Sequence, residues 1–156
     1  MANTVNPIKR NESLRNLSRD HHFGLLFCWK VRNFLNKVET KRITAYADYF
    51  YKLHLLPHFR QEEKHVFPLL GEETNLVVEA LDDHRCLRLL FDDPNKTTES
   101  MALIAKILER HIRFEERVLF KEIQRLVSEA ELISVLGEID KPEEDQWEDK
   151  FWEIKH

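Results

Sequence analysis

A ten-residue pattern is written twice in this chain. "HFRQEEKHVF" runs from His58 to Phe67 and "HIRFEERVLF" from His111 to Phe120, with His, Arg, the Glu pair and Phe at matching places. On a helix, positions i and i+4 lie one above the other on the same face. His58 with Glu62, and His111 with Glu115, therefore each offer an imidazole and a carboxylate to one point. Glu63 and Glu116 are turned roughly 100° onward, toward solvent or toward a partner behind the first face. Two helices that bury such pairs need something to satisfy them, because an unpaired interior charge is costly.

The rest of the chain supports helices. Three Gly and five Pro among 156 residues leave few breaks and disfavour an all-β architecture. Charged residues make up 33% and hydrophobic ones 42%, the balance of an amphipathic helical protein rather than a disordered one. The net charge of −4 is spread among interspersed acids and bases, so no nucleic-acid footprint is expected. The N-terminal stretch lacks an apolar core and no apolar run approaches membrane length, which predicts a cytoplasmic chain without a membrane partner. Cys28 and Cys86 lack metal or redox spacing and are expected to be reduced, buried residues.

Hydrophobic periodicity predicts four long helices. Ser18 is the expected N-cap of the first, with Asp20 in its first turn and His21, Leu25, Cys28, Val31 and Leu35 inward. The second runs from about Thr40 to Leu70, with Ile43, Ala47, Phe50, His54, His58, Glu62 and His65 on roughly one face. Pro57 is expected to kink or split it. The third, from about Glu73 to Phe91, turns Leu76, Val77, Ala80, His84, Leu87 and Phe91 inward. The fourth is capped by Thr98 and runs to about Leu126, with Ile104, Ile107, His111, Glu115, Val118 and Ile123 inward. Ser128 and Glu131 form a capping box for a short fifth helix ending at Gly137. Trp147, Phe151 and Trp152 predict a C-terminal tail packed as a lid. The expectation is an all-α, up-down-up-down four-helix bundle over about 18–127, with the short helix and tail over 128–156, in one domain of 1–156.

One inward histidine on each helix and two inward glutamates make a metal-ligand set: His21, His58, Glu62, His84, His111 and Glu115. A lone inward histidine is ordinarily a hydrogen-bonded core residue, but six such groups together are explained better by a cation. Two ions sharing two bridging carboxylates would each have two imidazoles and open positions. His22 is the rival to His21 on a poorer apolar face. His65 is a further candidate ligand, and with Glu62 it spells the ExxH of ferritin-type bundles, although the fourth helix has Val118 where a second such histidine would stand. His54 is expected in the core or at an entrance, and His156 carries no site argument.

"SRDHHFGLLF", "LPHFRQEEKHVFPLL", "LDDHRCLRLL" and "HIRFEERVLF" resemble, in order, the four helix motifs of the hemerythrin-like, or HHE cation-binding, family. The resemblance implies a bundle around a non-haem di-iron centre, with zinc as a substitute. It also implies binding of oxygen or nitric oxide, redox sensing, or iron handling. Oxygen carriers of that family place a second histidine four residues after the first on the third helix, whereas here His84 is followed by Arg88. The remaining four-His, two-Glu set is similar to members resembling iron–sulfur-cluster repair proteins, without their cysteine-bearing N-terminal segment. A metal-responsive interaction module and a metal-dependent enzyme on a small substrate are the alternatives.

Overall fold

The structure, a computed structural model, describes residues 11–137, 139 and 145–153; His156 lies outside them. The chain begins with α1 (Glu12–Phe34). A second rod comes next as α2 (Thr40–Phe50) and α3 (Leu56–Gln61), joined by a π-helical turn at Tyr51–Leu55 and continued by another at Glu62–Val66. Helix α4 (Asn75–Asp92) is the third rod. The fourth is α5 (Thr98–Phe114), a π-helical turn at Glu115–Leu119 and α6 (Phe120–Leu126). The short α7 (Glu129–Leu136) begins at Ser128, whose hydroxyl accepts from the Glu131 amide as the sequence predicts. The rods pack as a helical bundle, and no strand occurs among the described residues.

Three local expectations change. Helix α1 starts earlier than predicted, because Leu14 and Leu17 extend its apolar stripe backward and Asn11 caps it by accepting from the Ser13 amide at 2.8 Å. Ser18 is thus an interior helical residue and Asp20 stands in mid-helix. Pro57 does not end the second rod: Leu55 and Leu56 before it keep helical angles, and the predicted interruption takes the form of a π turn at Tyr51–Leu55, with Pro57 in the first turn of α3. The fourth rod is capped by Thr97 rather than Thr98, in a reciprocal capping box with Ser100.

Two apolar cores stabilise the bundle. One gathers Phe27, Val31, Phe50, Phe59, Leu87 and Leu108; the other gathers Leu14, Leu17, Val77, Leu119, Phe120 and Ile123. Each buried Leu or Phe contributes on the order of 1.5–3 kcal/mol. Every rod crosses from one core to the other through one polar level: His21 on α1, Glu62 on the second rod, His84 on α4 and Glu115 on the fourth. Phe151 is wholly buried in the first core, with Trp147 and Trp152 packed beside it, so the tail lies on the bundle as expected. Lys30, itself buried, holds the tail, with its ammonium 3.6 Å from the Trp152 ring centre and 3.5 Å from Asp145.

Cys28 is buried and free, and burial pushes its thiol up to about 12. Cys86 is free but exposed, against expectation, because it lies two positions, or roughly 200°, around α4 from inward His84. Among the described residues no helix is long and apolar enough to cross a membrane.

Candidate metal centre

Both copies of the repeated pattern carry the same irregularity at the same place. The Phe67 amide donates to the Glu62 carbonyl and the Phe120 amide to the Glu115 carbonyl, each five residues back. The extra residue in each π turn rotates the side chains beyond the glutamate. Leu119 and Phe120 therefore face the core, whereas Val118, expected inward, is 42% exposed. The same shift puts Val66 inward and leaves His65 only partly buried, outside the cluster.

The six predicted residues do converge. His21, His58, Glu62 and Glu115 form one group, and Glu62, His84, His111 and Glu115 another; the ligand atoms within each lie within 4.8 Å of one another. All six side chains are at most 3% exposed. Glu62 is approached by the Nε2 atoms of His58 at 3.1 Å, His84 at 3.3 Å and His21 at 3.9 Å. Glu115 is approached by those of His21 and His84, each at 3.7 Å, and touches that of His111. Each glutamate thus reaches both groups. None of these approaches has hydrogen-bond geometry: the four Nε2 atoms and all four carboxylate oxygens are buried without a hydrogen-bond partner.

The other ring nitrogens are all engaged. Nδ1 of His21 donates to Glu116 at 2.7 Å, that of His58 to Asp20 at 2.9 Å, that of His84 to Glu63 at 2.7 Å and that of His111 to Asp83 at 3.1 Å. A carboxylate can only accept, so each ring presents a proton on Nδ1, and a ring that is neutral then aims an Nε2 lone pair inward. These four acids form a pseudo-two-fold pattern. Asp20 and Asp83 each precede the histidine of their own helix, and Glu63 and Glu116 each come directly after the glutamate of their own repeat. Phe120 stacks on His21 at 5.3 Å between ring centres, and Phe67 lies at the same distance from His84. The repeat itself suggests a partner for the second glutamates. The Asp-His doublets at Asp20–His21 and Asp83–His84 are the signal that helical spacing overlooks.

Burial alone would raise the Glu62 carboxyl, but attraction to His58 and His84 holds it well below the usual carboxylate range. Burial likewise opposes protonation of His58, yet Glu62 and Asp20 raise it to about 10. His111 moves the other way, lowered to about 4 chiefly by burial. Eight interior nitrogen and oxygen atoms facing one another without hydrogen-bond partners are an expensive arrangement for a protein core. Imidazole nitrogens and carboxylate oxygens are the donor types that divalent transition metals take, so the residues fit a metal.

Beside the cluster lies a cavity of about 10 Å³, room for about one water-sized centre, bordered by His21, His58, His111 and the apolar Phe23, Phe50 and Leu108. His54 borders it too, partly buried as an entrance residue should be, with its Nε2 unpartnered. Gly24 also lines it, and a Cβ there would come within 2.6 Å of Ile112 Cδ1. His22, the rival of His21, is exposed.

No curated protein and no solved structure matches the chain. The family described as "Hemerythrin HHE cation binding domain" matches residues 12–123, a span that holds all six converging residues and their four carboxylate partners. The chain belongs to the hemerythrin HHE cation-binding family.

Proposed function

We propose that the chain holds two iron ions, for which His21 and His58 would supply one pair of imidazole ligands and His84 and His111 the other, with Glu62 and Glu115 available to both. One observation carries this reading: eight buried donor atoms converge with no hydrogen-bond partner. Iron so held supplies reversible one-electron chemistry and open positions for a small ligand such as O₂ or NO. The protein's own residues do the rest. Asp20, Glu63, Asp83 and Glu116 hold the imidazole tautomers, while the apolar wall of the cavity limits what can approach. A cavity of this size beside the cluster supports the reading of a small ligand of a few atoms. Zinc is the expected substitute ion. Two free cysteines fit action in a reducing cytoplasm.

The deciding experiment loads the purified chain with ferrous iron without oxygen, counts metal by mass spectrometry and then admits air. The expected result is two irons per chain and new near-ultraviolet charge-transfer absorption. Less than one iron per chain, with an unchanged spectrum, would overturn the proposal.

A further inference from the structure

Four residues after His84, one turn along α4, stands Arg88. Its guanidinium grips both oxygens of Glu63, from Nη1 to Oε2 at 2.9 Å and from Nη2 to Oε1 at 3.0 Å. The Glu63 oxygen nearer to Nη1 is the same one that accepts from His84 Nδ1 at 2.7 Å. The His84 ring is also stacked on Phe59 at 3.8 Å between centres, and the Arg88 guanidinium lies 5.8 Å from the centre of that ring. One imidazole is thus gripped by a carboxylate on one side and an aromatic face on another, and one cation touches both.

We propose that Arg88 is a positioning residue for His84, acting through Glu63, and that it slows the exchange of a metal held at His84 and His111. A bidentate guanidinium–carboxylate pair fixes the plane of the carboxylate as well as its place. A carboxylate fixed in plane holds the Nδ1 proton on one bearing, and the ring's Nε2 then points at Glu62 with little freedom. Lysine could supply the charge but not the fork, so the geometry rather than the charge is the active feature. The inference rests on the two-metal reading above, so its test has an arm that needs no metal.

Arg88→Met, Arg88→Lys, Glu63→Gln and the double variant Arg88→Met/Glu63→Gln are compared with the parent. In metal-free protein, the His84 Nδ1 proton is tracked by nitrogen–proton correlation spectra; its exchange with solvent should be at least about ten-fold faster in Arg88→Met and only partly restored in Arg88→Lys. In ferrous-loaded protein challenged with a chelator, iron release should quicken about ten-fold in Arg88→Met relative to the parent, and the double variant should lose no more than Glu63→Gln alone. Unchanged proton exchange in Arg88→Met, or full rescue by lysine, would overturn the inference, as would losses that simply add in the double variant. Parent protein that takes up no iron, yet shows the exchange difference, would sink the two-metal reading and leave the Arg88 relay standing.

Discussion

Glu116 accepts a hydrogen bond from His21 Nδ1 at 2.7 Å, although the two residues are 95 apart in the chain. The bond ties the fourth rod to the first at the polar level and selects which imidazole nitrogen is left for a cation. Glu116→Ala should lower metal affinity by roughly 10–100-fold, since a ring without its rear anchor must be ordered on binding. Competitive titration against a coloured chelator would measure it, and affinity within about two-fold of the parent would contradict the assignment.

Glu62 is costly to the metal-free protein. Replacing it with Gln removes an interior carboxylate while keeping its shape, and His58 can then shed its proton rather than remain an unpaired cation. Metal-free Glu62→Gln should melt no lower than the metal-free parent, because buried ion pairs often yield little net stability. Iron should raise the parent's melting temperature but barely move the variant's. Calorimetry with and without chelator separates the two effects.

The π turn at Glu115–Leu119 assigns unequal weights to neighbours. Leu119 is wholly buried, so Leu119→Ala should cost about 2–5 kcal/mol. Val118→Ala, on the exposed side, should stay within about 0.5 kcal/mol. Urea denaturation of the two variants gives the comparison, and equal losses would contradict the register.

The tail should come away in acid. Asp145 contacts Lys30 and Tyr46, and Asp149 is gripped by Arg42 at 2.9 and 2.5 Å. Burial alone would raise the Asp145 carboxyl, but the Trp147 amide and Lys30 bring it below its ordinary value; hydrogen bonds from Arg42 lower Asp149. Groups lowered on folding contribute stability that is present above their unfolded values, about 3.9, and lost as pH falls through their folded values. Tryptophan fluorescence should therefore hold steady from neutrality to about pH 4 and shift to the red below it. Asp145→Asn should blunt that step.

The four rods and all six converging residues were legible in the sequence, because helical spacing and a doubled His-x-x-x-Glu leave few places for such groups. What periodicity hid was every consequence of a count that is not 3.6. Val118 and His65 lie inside the π turns, and a regular helix drawn through Glu115 or Glu62 assigns them to the wrong side. The start of α1 was hidden differently: Ser18 has the chemistry of a cap, but Leu14 and Leu17 had core to bury, and tertiary packing outweighed local preference. Arg88 was visible only as an absent histidine. Its hold on Glu63 depends on two rods lying side by side, which no spacing within one rod reports.

Because the widened turns begin at Glu62 and Glu115 themselves, each rod has one more residue per length than an ordinary helix would need at that point. Any alignment that pairs this chain with a straight-helical counterpart should open a single-position gap just after each glutamate. Without that gap, every downstream side chain would be matched to a neighbour from a different face, and Phe67 and Phe120 would be compared with residues they do not replace.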